Sequence, residues 1–129
     1  MSPEKLLSRH FLDNGFCLEF WDLSRPVAGD RWQVALEARL SVPITAATLP
    51  PDLRSRQAQV IAALGREILF SQKEVRNFMA AGEVGDILKE MEARLLSALS
   101  AYLARPDFAG RLIRKKFTEY QEKQRWYQG

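Results

Sequence analysis

The chain has 129 residues, of which 47% are hydrophobic, 27% charged and 10% aromatic, and its formal net charge is +3. This composition is typical of one water-soluble globular domain over residues 1–129, and it is less basic than that of a dedicated nucleic-acid binder. A single cysteine and a single histidine exclude an intrachain disulfide and the common zinc sites, so we expect neither a disulfide scaffold nor a bound metal.

The first predicted element is a β-hairpin over residues 16–44. Apolar and polar residues alternate from Arg31 to Ile44, and a shorter alternating run starts at Phe16, as expected for two strands that each bury one face. We predict a three-residue loop that ends at Gly29, because glycine accepts positive φ without a Cβ clash. The resulting register pairs three inward-facing residues of each strand: Phe16 with Leu40, Leu18 with Ala38 and Phe20 with Leu36.

The same register places Glu19 opposite Glu37 on the other face of the hairpin. Two carboxylates held close together split their pKa values, and one of them is raised until it can donate a proton near neutral pH. An enzyme that uses this carboxylate pair is therefore one functional hypothesis. We favour the alternative that both side chains are solvated and screened by Arg39, because no pocket is visible in the sequence.

Helical spacing dominates the remainder of the chain, with one ambiguous segment. Proline in the first turn and a glycine after the last predict a helix over residues 52–64. Residues 66–79 fit a helix or an imperfect strand, and we choose the strand because a lone two-stranded ribbon with so apolar a face is marginal. Apolar stripes then predict helices over residues 86–104 and 107–126, separated by a proline.

Together these elements predict an α+β fold. Its antiparallel three-stranded sheet consists of the long hairpin and the third strand, and two or three helices pack on one face. No segment has the apolar length of a signal peptide or a membrane span, so we expect a cytoplasmic protein without membrane contacts. Glycine-rich phosphate loops are absent from the sequence, so we expect no nucleotide cofactor.

Basic residues of the last predicted helix form the most distinct surface feature. At about 100° per residue, one arc of this helix carries Arg111, Arg114, Lys115 and Arg125. Cations with this spacing can follow a phosphate backbone, and nearby aromatic rings can stack on the bases of RNA or single-stranded DNA. A solvated helix face that complements the helix dipole is the competing interpretation.

Aromatic side chains suggest protein binding instead. Trp126 and Tyr127 near the end of this helix, and Trp21 on the polar face of the hairpin, are residue types that concentrate binding energy at interfaces. Our leading hypothesis is a non-enzymatic binding or protein-interaction domain whose partner is another protein or a second copy in a homodimer. Nucleic-acid binding is the first alternative, and the carboxylate-pair enzyme is the second.

Overall fold

A computed structural model describes residues 4–128, which form an antiparallel five-stranded sheet and three α-helices, so the predicted α+β class is confirmed. No helix among these residues is both long and apolar enough to cross a membrane. Two 3₁₀ helices cover Pro51–Arg56 and Ala81–Glu83. The strands are β1 Lys5–Phe11, β2 Cys17–Asp22, β3 Arg25–Ala28, β4 Arg31–Pro43 and β5 Glu67–Ala80, and the helices are α1 Gln57–Leu64, α2 Val84–Leu103 and α3 Phe108–Gln128.

The predicted count of three strands is wrong, because β1 was missed and one hairpin arm is divided into two. β1 pairs antiparallel with β2, with His10 opposite Leu18, and its register shifts between Leu6 and Ser8. This bulge changes which face the following side chains occupy, so the segment has no continuous apolar alternation. A period-two pattern therefore does not identify it as a strand.

The divided hairpin arm consists of β2 and β3, which both pair with β4. At the break between them, Ser24 is buried and its hydroxyl accepts a hydrogen bond from the Ala35 N–H at 3.0 Å. The Ser24 N–H in turn donates to a carboxylate oxygen of Asp22 at 2.8 Å. Side chains therefore provide the acceptors that a regular ladder would supply, which keeps the buried backbone groups hydrogen-bonded.

The predicted hairpin register is wrong by two residues. Phe20 lies opposite Ala38, and the loop is the two-residue turn of Gly29 and Asp30. Gly29 has φ +57°, and glycine with positive φ at the first central position is typical of a type II′ turn. A shift of two residues leaves every side chain on its predicted face, since side chains alternate with period two. The hydrophobic pattern alone thus cannot exclude it.

The ambiguous segment 66–79 is a strand, as predicted: β5 pairs with β4. At one end the Ala81 N–H donates to the Asp30 carbonyl at 2.9 Å, and at the other the Ile44 N–H donates to the Arg66 carbonyl at 2.8 Å. Residue numbers that rise on one strand as they fall on the other mark the pairing as antiparallel.

Contacts divide the described chain into two compact units: residues up to 40 with 71–104, and residues 41–70 with those from 105 onward. In the first unit, Leu18, Phe20 and Leu36 are buried on the sheet. Helix α2 contributes an apolar stripe at helical spacing, which consists of Leu88, Met91, Leu95, Leu99 and Leu103. A single domain over residues 1–129 stays a prediction.

The second unit has its own buried side chains, among them Val60 on α1 and Ile113 and Phe117 on α3. The ring of Phe70 meets that of Phe108 edge to face, with centroids 5.9 Å apart. This geometry places the positive edge of one ring against the negative face of the other, which stabilises the pair beyond its buried area.

Phe78 in β5 provides a test of local backbone strain. Its φ is +59°, where the Cβ of an L-residue crowds the backbone, while its side chain is 68% exposed. We expect Phe78→Gly to leave the free energy of unfolding unchanged or to raise it by up to about 1 kcal/mol. The matched variant Val75→Gly, on the same strand but with negative φ, should lower it by about 1 kcal/mol. Urea denaturation distinguishes these outcomes, and equal losses in both variants would contradict strain at Phe78.

Candidate functional site

The two carboxylates of the enzyme hypothesis do not form the predicted pair. In the observed register Glu19 lies opposite Arg39, and Glu37 lies opposite Trp21. Each carboxylate is bonded to an arginine: Arg9 Nε lies 3.0 Å from Glu19, and the Arg39 guanidinium contacts Glu37. The predicted opposition of like charges is therefore wrong, and opposite charges meet across these strands instead.

Trp21, predicted as an interface residue, is covered by this network of charges. The Arg39 guanidinium carbon lies 4.8 Å from the centre of the Trp21 ring, and the indole N–H donates to Glu19 at 3.2 Å. Arg39 also donates to Glu4 at 2.9 Å, and this bond lowers the pKa of the Glu4 carboxyl. The ring thus has a stacked cation and a hydrogen-bonded edge, both of which stabilise it on the sheet.

The basic arc of α3 is divided by ion pairs. Arg111 Nε donates to Asp107 at 2.6 Å, and Arg114 binds Asp52 with both terminal nitrogens, at 3.0 and 2.5 Å. Lys115 and Arg125 are exposed. Of the four cations predicted to bind nucleic acid, two are therefore engaged by carboxylates. The Asp52 partner is 62 residues distant in the chain, so helical periodicity does not predict this pair.

The bidentate bond to Asp52 has an electrostatic consequence. Hydrogen bonds from Arg114 hold the pKa of the Asp52 carboxyl below its ordinary value, because they favour the charged form. Fork-to-fork pairing also restricts the orientation of the guanidinium plane. The 3₁₀ helix that carries Asp52 is thereby joined to α3 within the second unit.

Residues 118–127 of α3 include no buried side chain. Phe117 is the last buried residue in the part of the helix whose burial the structure describes, and every residue from Thr118 to Tyr127 is exposed or half-buried. We call these ten residues the α3 extension. The side chains of Trp126 and Tyr127, both predicted to lie at an interface, are 85% and 88% exposed. Two large aromatic rings are thus in contact with water at the end of a helix.

A polar cluster in the first unit was missed by the sequence analysis. Ser8 and His10 on β1 approach Glu92 on α2: the serine hydroxyl donates to the carboxylate, and His10 Nε2 lies 3.1 Å from that hydroxyl. Because the single hydroxyl proton points to Glu92, His10 does not act on Ser8 as a base in this arrangement. Glu92 is 82 residues from His10 in the chain, so the spacing of residues around His10 does not predict this contact.

No family model, curated protein or solved structure matches the chain. No group of three or more histidine, cysteine, aspartate or glutamate residues suited to a metal ion occurs in residues 4–128. The α3 extension, which exposes two large aromatic rings, is therefore the candidate functional surface.

Arg39 is expected to stabilise the sheet more than its exposed neighbour Arg9, whose side chain is 58% exposed against 20% for Arg39. We predict that Arg39→Met lowers the free energy of unfolding by about 1–2 kcal/mol, because it leaves the half-buried Glu37 without its cation. Arg9→Met should cost less than about 0.5 kcal/mol. Chemical denaturation followed by tryptophan fluorescence measures the free energy of unfolding of both variants. Equal losses would contradict a larger stabilising contribution from Arg39 than from Arg9.

The Asp52 and Arg114 pair predicts a pH dependence. A carboxyl with a lowered folded-state pKa stabilises the fold above its unfolded-state pKa, and that contribution disappears as the pH falls through the folded-state pKa. Arg114→Met should raise the pKa of Asp52 toward its ordinary value and abolish this part of the acid dependence. Carboxyl-detected NMR titration measures the shift, with Arg111→Met as the control that keeps the pair. An Asp52 titration curve that is identical in all three proteins would refute the pairing.

Proposed function

We propose that the protein is a non-enzymatic interaction domain that pairs with a second copy of itself through the α3 extension. The observation that carries this proposal is the exposure of Trp126 and Tyr127 on a helical segment without a single buried residue. Trp and Tyr are the residue types in which binding energy concentrates at protein interfaces. A second copy that covers them removes both rings from water.

The lack of packing in the α3 extension supports a partner. Most helical stability in proteins comes from packing an apolar face rather than from intrinsic propensity. The α3 extension has ten residues, and it packs no fully buried side chain. Pairing with a second helix supplies the missing contacts.

The order of charges selects a second copy in antiparallel orientation. The acidic residues Glu119 and Glu122 precede the basic residues Lys123 and Arg125. In an antiparallel pair related by a two-fold axis, the acidic half of each α3 extension lies beside the basic half of the other. An isologous interface requires such self-complementarity, because the same patch meets itself. A parallel alignment would place like charges side by side.

The same charges make nucleic acid the weaker alternative. The α3 extension carries two acidic and two basic residues, so it has no net attraction for a phosphate backbone. Arg111 and Arg114 already bind carboxylates, which leaves Lys115 and Arg125 from the predicted arc. Micromolar binding of RNA or single-stranded DNA that weakens steeply with salt would overturn the preference for a protein partner.

Charge reversal with rescue tests the antiparallel dimer. Light scattering should give a mass near twice 14.8 kDa at high protein concentration, with dissociation in the micromolar range that is common for small interfaces. One variant combines Lys123→Glu with Arg125→Glu, and a second combines Glu119→Lys with Glu122→Lys. Each alone should be monomeric because like charges then meet across the axis. Mixing the two variants should restore a dimer, since opposite charges then face each other.

Two further variants complete this experiment. Trp126→Ala should weaken the dimer by tenfold or more, as expected for a large aromatic side chain that becomes buried at an interface. Glu83→Lys, on an exposed residue outside α3, is the control and should leave the dimer unchanged. A monomeric mass at every concentration would overturn the proposal, as would a mixture of the charge-reversed variants that remains monomeric.

A further inference from the structure

A cavity of about 300 Å³ lies within the second unit, between the segment that leads into the first 3₁₀ helix and the first turns of α3. The two segments pack against each other at Gly110, where a Cβ would lie 3.6 Å from a ring carbon of Pro50, at ordinary van der Waals distance. Apolar and cationic side chains both line the cavity. The apolar ones include Leu49, Pro50 and Pro106, and the cationic ones are Arg54, Arg111 and Arg114.

Two of these guanidinium groups are anchored by one nitrogen only. Arg54 Nε donates to the Ala46 carbonyl at 3.1 Å, and Arg111 Nε donates to Asp107 at 2.6 Å. Within residues 4–128 neither guanidinium has another hydrogen-bond partner. Each therefore keeps both terminal nitrogens as donors, on a group whose position is restrained by its Nε bond. Such a fork matches the two oxygens of a carboxylate.

The charge of the cavity indicates an anionic ligand. Three arginines line it, while Asp52 is bonded to Arg114 and Asp107 is shared between Arg111 and Arg105, whose Nε lies 3.5 Å from it. The cations therefore outnumber the carboxylates around the cavity. Proline rings and Leu49 form an apolar wall, which is the usual partner of a few convergent polar groups in small-molecule sites.

From this combination we infer that the cavity binds a small organic carboxylate, with its oxygens on Arg54 and Arg111 and its apolar body against the prolines. Three arginines converge from two elements of the second unit, although α3 and the 3₁₀ helix are separated by more than 50 residues in the chain. The site does not depend on the proposed dimer, because all its lining residues precede the α3 extension.

The test is an NMR titration of the full chain with benzoate, a monoanion with an apolar ring. Benzoate should shift the Gly110 amide and the arginine Nε signals, with dissociation in the millimolar range for so exposed a site. Benzamide, which has the same shape without the charge, should bind at least tenfold more weakly. Equal binding of the two compounds would overturn the carboxylate assignment, and so would the absence of site-specific shifts at saturating benzoate.

Two variants should change the affinity in opposite directions. Arg54→Gln removes a cation that has no carboxylate partner in residues 4–128, so benzoate should bind about tenfold more weakly. Asp52→Asn removes a competing negative charge beside Arg114, so benzoate should bind about fivefold more tightly. Arg66→Gln, on an exposed residue of the same unit that does not line the cavity, is the control.

Amide spectra of each variant without ligand establish that the fold is retained. The inference holds if the affinities follow the order Asp52→Asn, unaltered protein, Arg54→Gln, with Arg66→Gln equal to the unaltered protein. An equal loss of affinity in Arg54→Gln and Arg66→Gln would show that benzoate responds only to the overall surface charge. That result would overturn the proposed binding site. Unchanged affinity in Asp52→Asn would likewise contradict the proposed charge competition.

Discussion

Pairing along β4 is the interaction on which the other elements of the sheet depend. The β2 and β3 strands bond to this strand directly, β5 bonds to it as well, and β1 is attached through β2. The even-numbered residues from Val34 to Val42 are buried without exception. A strand that is paired on both edges has its backbone groups satisfied by its neighbours, and its buried side chains supply much of the apolar area. On the other face of β4, Arg39 contacts Glu4, Glu37 and Trp21, so this strand also organises the polar face of the sheet.

This constraint explains which parts of the fold the sequence predicts. Alternation over residues 31–44 identifies the buried face of β4 correctly, because successive side chains of a strand point to opposite faces of the sheet. The register depends on the turn, where Gly29 and Asp30 form a two-residue loop. The hydrophobic alternation does not distinguish this loop from one of three residues. A face can thus be predicted correctly while each cross-strand partner is wrong.

Partners distant in the chain account for what the sequence analysis missed at the candidate sites. Helical geometry determines which residues share a face, so the sequence predicts the basic arc on α3, and all four of its cations are exposed. It does not predict the exposure of Trp126 and Tyr127. The Asp52 carboxylate that binds Arg114, and the Glu92 carboxylate beside Ser8 and His10, belong to other elements. Periodicity describes one element at a time, so it contains no information on such contacts.

Ion pairs give the two halves of α3 different properties. Near its beginning, Arg111 and Arg114 are held by carboxylates and line a cavity with Arg54. Beyond Phe117 the charges balance within the segment, and the aromatic rings lie in water. In our two proposals, this helix carries a small-anion site near its beginning and an interaction surface in the α3 extension. Both proposals give its basic residues smaller partners than a nucleic-acid backbone.

Hydrogen exchange of the α3 extension, measured at two protein concentrations, tests the central functional claim most directly. The amides of residues 118–127 lie in a helical segment without a fully buried side chain, so in the monomer they should exchange with little protection. Our account predicts that their protection rises with protein concentration, while the amides of the packed half of α3 remain unchanged. Protection of residues 118–127 that is the same at both concentrations, in a range where light scattering detects only one mass near 14.8 kDa, would contradict it.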